Sequence, residues 1–367
     1  MKITDIKVTA ICVPLSSIYD GATYAVSERR TIITEVITDE GISGRVYTGD
    51  IRDQQSEVVG IIENDIKPLI IGEDPLCVER CWQKMFQATK PLFNRALKCS
   101  AIAAVDNALW DLLGKACNIP AYKLFGGYTN KVRPIVIGGY YADGKTLEML
   151  CDEMLEYKAQ GYAGSKVKVG KLSPLEDAKR IETIRKAAGD DFIITADANQ
   201  GYSRFQATEF ALAVRDLNVE WFEEPVEWPD YIPGMRYVRE HSGIAVTAGQ
   251  SDHFHDACRS MIEQRAVDII NHDISGGCGI SDWLKVAKMA DMYEIKMAHH
   301  EDPHLSMHML AGIRLGLYPE YFSEERDPVT PRILVNQPKA ENGWIVLPEK
   351  PGFGCEFDED FVRKYTV

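Results

Sequence analysis

The stretch IITADANQGYSRFQATEFALAVRDLNVEWFEEP (193–225) holds one complete structural unit of this chain. A short apolar run ends on Asp197, a segment of helical periodicity follows from Arg204 to Leu217, and a second apolar run ends on Glu223. Apolar runs of this length bounded by Gly, Asn and Pro read as buried strands. A strand–helix–strand connection of this kind is parallel and right-handed. Asp197 and Glu223 therefore fall at the same end of neighbouring strands.

The same unit repeats on both sides. Strands are expected at Val132–Ile137, Gly164–Val169, Ile193–Asp197, Val219–Glu223, Ile244–Ala248, Val267–Asn271, Ile295–Ala298 and Gly316–Phe322, with helices between them. Eight such strands close into an α/β barrel of the TIM type, whose strand C-termini share one rim. The rival, an open doubly wound sheet, needs a Gly-rich phosphate turn after its first strand, and IGGYYADGK is a poor one. Residues 1–125 read differently, as an α+β domain. Strands are expected at Ile3–Cys12 and Thr31–Thr38, and helices at Gln54–Ile66, Leu76–Ala88 and Leu97–Lys115, the last stopping near Gly114. The barrel is assigned to 126–335. The tail, 336–367, contains GWIVLPEKPGFG and is expected to return to the first domain.

Composition narrows the function. The chain has 367 residues and a formal net charge of −14, which argues against nucleic acid, a polyanion that requires a basic surface. No stretch approaches the roughly 20 apolar residues of a membrane span. The opening MKITDIKVTAICVPL alternates like a strand rather than carrying a secretory apolar core, so a cytoplasmic protein is expected. The nine cysteines are scattered and odd in number, and read as reduced thiols.

The strand ends carry the chemistry. In order they bear Lys166 and Lys168, Asp197, Glu223, Gln250, Asp273, His300 and Glu320. Lys166 and Lys168, two apart on one strand, point to the same side about 6–7 Å apart. Their mutual repulsion should lower one pKa and make a general base. Asp197 and Glu223 suit a hard octahedral cation such as Mg²⁺, with Mn²⁺ as the alternative. The third strand end offers Gln250, an uncharged ligand, or Asp252 two residues on. Asp273 on the sixth strand could orient and charge His300 on the seventh. Glu224 and His299 should alternate away from the site. The loops Ser16–Val26 and Tyr47–Arg52 offer Tyr19 and Tyr24 to read substrate hydroxyls.

The ordered set Lys-x-Lys, Asp-x-Asn, Glu-Glu-Pro, Asp followed by Gly-Gly, and His resembles the enolase superfamily in its mandelate racemase subgroup. That resemblance covers nearly the whole chain. It implies a capping domain over a modified (β/α)7β barrel, completed by the C-terminal tail. It further implies Mg²⁺ on Asp197 and Glu223, Lys168 as base with Lys166 beside it, His300 with Asp273 as acid/base, and Glu320 hydrogen-bonding an enolate. Asn199 stands where some acid-sugar dehydratases have a histidine, and would face the substrate with Lys166. Expected chemistry is removal of the proton α to the carboxylate of a small-molecule acid. Dehydration of a sugar acid to a 2-keto-3-deoxy acid is favoured over racemization, epimerization or cycloisomerization. A non-catalytic metal-binding barrel is the remote alternative, with Gln250 its main support. A homo-oligomer is expected.

Overall fold

The computed structural model describes residues 1–367. Eight parallel strands form one curled sheet: Ile135–Gly138, Gly164–Lys168, Ile193–Asp197, Val219–Glu223, Val246–Ala248, Ile269–Ile270, Lys296–Met297 and Glu320–Phe322. The first seven pair in chain order, and the eighth pairs with the first through Glu320–Ile135 and Phe322–Ile137. A parallel bridge between Met297 and Gly316 closes the ring. Helices Leu147–Ala159, Pro174–Ala188, Arg204–Val214, Tyr231–Ser242, His255–Glu263, Ile280–Met292 and Pro303–Gly312 fill the seven intervals between strands. The fold is a (β/α)7β barrel.

Local chemistry explains the helix starts. Ser173 with Glu176, and Ser203 with Gln206, form reciprocal capping boxes that satisfy free N–H groups at two helix N-termini. Inside the barrel, Ile135, Ala163, Ile193, Trp221, Ile269 and Ala298 make an apolar plug at the N-terminal ends of the strands. Above the plug the interior turns charged.

The N-terminal domain is a three-stranded antiparallel sheet, Ile3–Asp20, Ala25–Thr38 and Ser43–Tyr47, backed by helices. Its hairpin runs much further than the sequence suggests. Tyr19 pairs with Val26 and Asp20 with Ala25, so the expected loop Ser16–Val26 is mostly strand with a tight tip. Asp20 then bridges to Tyr141 of the barrel and pairs with Lys171, which gives the extension a partner that local sequence cannot reveal. The long helix runs Arg95–Cys117 and ends at Asn118 in the left-handed region, φ 55°, three residues beyond the expected stop. Gly114 serves close packing instead, since a Cβ there would lie 2.6 Å from the Gly352 Cα.

That contact belongs to the tail. Ile345–Val346 pairs with Lys131–Val132, the Gly352 carbonyl accepts from the Ala121 N–H at 2.7 Å, and helix Glu359–Tyr365 lies against the first strand. The first domain is also locked to the barrel rim. Arg29, buried in its second strand, meets Asp50 at 3.3 Å, Glu301 at 2.9 Å and Asp327 at 3.4 Å, the last two from barrel loops. Tyr47 stacks on His304, ring centres 3.6 Å apart. Replacing Arg29 by Met should leave three clustered carboxylates without their cation. Removing one side of a buried ion cluster costs about 3–5 kcal/mol, and chemical denaturation of the R29M variant should show a loss of that order. Unchanged stability would mean the lock lies elsewhere.

Candidate active site

The rim holds a cavity of about 810 Å³, roofed by the first domain and floored by strand ends. Its wall includes Lys168, Asn199, Gln250, Asp273 and His300 from the barrel, and Tyr24, Asp50 and Arg52 from the first domain. Lys166, Asp197, Glu223 and Glu320 lie beneath it and are essentially inaccessible. The site therefore has two tiers, a sealed charged floor and an open working level.

Parallel register builds the floor. Lys168 pairs with Asp197, and Asp197 with Glu223, so successive strands deliver these groups at one height. Lys166 Nζ lies 2.8 Å from Glu223 Oε1, 2.7 Å from Glu320 Oε1 and 3.7 Å from Asp197 Oδ2. Lys168 Nζ donates to Asp197 Oδ2 at 2.7 Å and to Asn199 Oδ1 at 2.8 Å. Here the expectation of a depressed lysine pKa is corrected. Burial lowers both ammonium groups, but the carboxylates outweigh it and hold both lysines above their ordinary value. The repulsion between the two lysines is the weaker effect because each has its own nearer anion.

Formally, two lysines face three carboxylates, an excess of one negative charge in a buried site. Burial pushes the Glu223 carboxyl up to about 8 against the pull of Lys166. A dication beside it would restore the ionised form. The donor set fits a hard metal ion: two carboxylates on adjacent strands, and the Gln250 amide oxygen from the next. Gln250 donates through Nε2 to Glu224 Oε2 at 3.1 Å, which leaves its carbonyl oxygen free. Asp252 does not reach the cavity; its carboxyl accepts from the Tyr231 hydroxyl at 3.4 Å. Glu224, expected to point away, does line the cavity. Its φ of 38° breaks strand alternation at that residue.

The other acid/base pair is equally definite. His300 Nδ1 and Asp273 Oδ2 are 2.7 Å apart, and Asp273 Oδ1 accepts from the N–H groups of Ser275 and Gly276. Burial opposes the imidazolium, but the Asp273 bond and nearby Glu301 prevail and push His300 up to about 9. Its Nε2, 3.8 Å from Glu301 Oε1 and so beyond hydrogen-bond reach of it, is the nitrogen left for the cavity. His299 is sealed off: Ile274 N–H donates to its Nε2, so the proton sits on Nδ1, and burial drops its pKa to about 4.

Two expectations for the substrate level change. Tyr24 lines the cavity, 5.5 Å from ring centre to Lys168 Nζ. Tyr19 does not; it lines a neighbouring cavity and packs edge-on to Tyr140 at 5.6 Å. Hairpin pairing puts Tyr19 on the outer side of the extension. Glu320 is bonded to Lys166 and does not line the cavity, so it reaches that level only through the lysine. Sequence reasoning missed Arg29, Glu301 and Arg326. Glu301 directly follows His300, but nothing local marks it as the anchor of a residue 272 positions earlier, since Arg29 lies in the other domain.

Comparison with known proteins agrees with this geometry. The mandelate racemase/muconate lactonizing enzyme N-terminal domain matches residues 4–126, and the enolase C-terminal domain-like family matches 149–361. The chain belongs to the enolase superfamily, in its mandelate racemase subgroup. Arabinonate dehydratase of Saccharolobus solfataricus is 31% identical over 91% of this chain and 90% of its own length. A solved mandelate racemase/muconate lactonizing enzyme is 42% identical with TM-score 0.97, covering 100% of this chain and 99% of its own. A second, from a marine actinobacterium and in complex with magnesium, is 40% identical with TM-score 0.94 and the same coverage. No helix here is long and apolar enough to cross a membrane.

The His300–Asp273 pair gives a titration prediction. A raised histidine pKa adds stability in full below its unfolded value of 6.5, and that contribution is lost as pH rises through about 9. Asp273→Asn should bring the His300 imidazole resonance midpoint down by one unit or more on an NMR titration. The stability gap between wild type and D273N should be widest below pH 6.5 and close above about 9. A midpoint unmoved in D273N would assign the shift to Glu301.

Proposed function

We propose that this chain is a Mg²⁺-dependent lyase that removes the α-proton of a sugar acid and expels its β-hydroxyl, giving a 2-keto-3-deoxy acid. The observation that carries the reading is one cavity walled by two groups able to transfer protons, each held by its own carboxylate. Lys168 comes from the second strand and His300 from the seventh, three places apart round the ring. The relative that dehydrates arabinonate supports the reaction class.

Asp197, Glu223 and the Gln250 carbonyl would hold Mg²⁺, as a solved relative holds magnesium. The ion would supply positive charge against the substrate carboxylate and the second negative charge that develops on it. Lys166, fixed between Glu223 and Glu320, would add a positive charge from below the substrate. Lys168 must shed a proton to act as base. Its hold on Asp197 is what keeps it charged, so committing Asp197 to another cation frees Lys168 to titrate downward. His300 needs no such release. Held by Asp273, it is an imidazolium at neutral pH and can hand its Nε2 proton to the departing hydroxyl, which leaves as water. The electron pair from the broken C–H bond forms the C=C bond, and the enol tautomerises to the ketone. Asn199, bonded to Lys168, orients the base and does not supply an acid.

The same two residues support a second reading. Proton removal by Lys168 and return by His300 to the opposite face would give a racemase or epimerase. Proton NMR in D₂O with Mg²⁺ and pooled sugar acids separates the two: loss of an α-proton with a new 3-deoxy signal marks dehydration, and loss without it marks isomerization. No exchange in any pool would sink both. Lys168→Ala should abolish α-proton exchange, a loss of at least about 10³-fold, with the thermal melt retained; near-normal exchange would remove Lys168 from the mechanism. Gln250→Glu adds an anionic donor and should tighten Mg²⁺ binding by about tenfold or more, equivalent to ~1.4 kcal/mol. Unchanged affinity in calorimetry would take Gln250 out of the ligand set.

A further inference from the structure

Arg326 is a buried cation of the site that no carboxylate pairs with directly, Glu301 acting on it only at a distance. It follows the eighth barrel strand and is 2% exposed. Its Nε and Nη1 have no hydrogen-bond partner, and no carboxylate comes within ion-pairing distance. Arg29, equally buried, has three carboxylates around it. Arg326 is held instead by aromatic faces, Phe322 at 4.7 Å, Tyr140 at 5.7 Å and Tyr19 at 5.9 Å from ring centre to guanidinium carbon. Such contacts offset part of the desolvation of a cation, not all of it. A guanidinium cannot escape by losing its proton.

Its position gives the missing partner a place. Arg326 lines the catalytic cavity together with Ile137, Tyr140 and Phe322. The same four residues also line the neighbouring cavity of about 640 Å³, so the two spaces meet at the guanidinium. The charged floor accounts for one end of a sugar acid, its α-carboxylate. Lys168 and His300 flank the carbons beside it. An unpaired cation farther along the wall calls for a second anion at the far end of the same molecule.

We propose that Arg326 binds a distal carboxylate of the substrate, so that this chain acts on sugar dicarboxylic acids in preference to monocarboxylic ones. The inference rests on the α-proton chemistry proposed above and narrows its substrate class. A carboxylate fits the guanidinium fork in bidentate fashion. A terminal phosphate, carrying nearly twice the charge, would meet one buried arginine among Asp50, Asp53, Glu224 and Glu301, the wall's other arginine, Arg52, being exposed to solvent. The single positive charge matches a singly charged end group.

The test is calorimetric titration of the Mg²⁺-loaded protein with sets of sugar acids that share length and stereochemistry. Members of a set end in CH₂OH, in carboxylate or in phosphate. Wild type should bind the diacid about 10- to 100-fold tighter than the monoacid, the range of a charge-assisted hydrogen-bonded pair. Arg326→Gln should reduce diacid affinity to the monoacid level and leave monoacid affinity unchanged. Arg326→Lys, keeping charge without the fork, should fall between. No diacid preference in wild type overturns the proposal, as does a preference that persists in folded R326Q, tighter binding of the phosphate, or binding of no member in any set. If R326Q does not fold, wild type and R326K decide. Exchange of the α-proton is followed on the same samples. Diacid preference without exchange keeps Arg326 and sinks the reaction; exchange without preference does the reverse.

Discussion

Five charged side chains in the sealed interior of the barrel set the terms for the rest of the molecule. Lys166, Lys168, Asp197, Glu223 and Glu320 are each at most 2% exposed. Burying even one of them alone would be prohibitive. Together they are tolerable only at the spacing that parallel register gives, with ammonium and carboxylate 2.7–2.8 Å apart. A strand slipped by one residue would turn its own charged side chains out of the barrel and leave their partners buried without counter-charge. Register, closure through the Met297–Gly316 bridge and the apolar plug around Trp221 are therefore conditions for the charge cluster, and the cluster is in turn a penalty on every wrong register.

The roof follows from the same constraint. A charged floor keeps its strength only if water is excluded above it. The first domain covers the rim, and the contacts that hold it there are polar and buried. Gly49 N–H donates to Ser275 Oγ at 2.9 Å, His304 Nε2 bonds the Tyr47 carbonyl at 2.9 Å, and Arg29 gathers acids from both domains. Polar contacts of this kind are directional, so they fix where the Tyr24 tip and the Asp50–Arg52 segment stand over the cavity. The first-domain residues over the cavity are thereby carried on an edge bonded to the barrel.

Much of this is legible in the chain because it is periodic or local. Apolar runs ending in acids and bases announce the barrel strands, and Lys-x-Lys within Gly164–Gly170 announces two side chains on one face. The Asp273–His300 contact follows once the strands are placed next to each other. The errors share one cause, a dependence on a partner far away in sequence. The hairpin at 16–26 continues because Tyr141 and Lys171 receive its end. Gly114 is small because Gly352 comes back against it. Lys166 keeps its proton because Glu223, then Glu320 from the last strand, outweigh its burial; Glu224 alone is a local exception, turned into the cavity where one residue leaves the extended conformation. Arg326 is invisible in SEERDP, where an arginine between acids reads as surface polarity. Only the fold shows that none of those acids pairs with it.

The two proton-transfer groups are placed under opposite controls, and that asymmetry bears on direction. His300 is charged by Asp273, whose other oxygen is pinned by the N–H groups of Ser275 and Gly276, so its partner cannot be drawn away. Lys168 is charged by Asp197, a carboxylate on the metal-facing floor and open to competition from a second cation. A dication held by Asp197 and Glu223 would thus act on one side only, releasing the lysine toward its neutral form and leaving the histidine an acid. A symmetric racemase needs both groups to exchange roles freely. Under the proposed dehydration, a base switched on by the metal would take the α-proton while an acid that stays charged gives its own to the departing hydroxyl, and a one-way epimerization would use the same order, so the asymmetry sets direction and leaves the fate of the enediolate to the substrate's β-carbon.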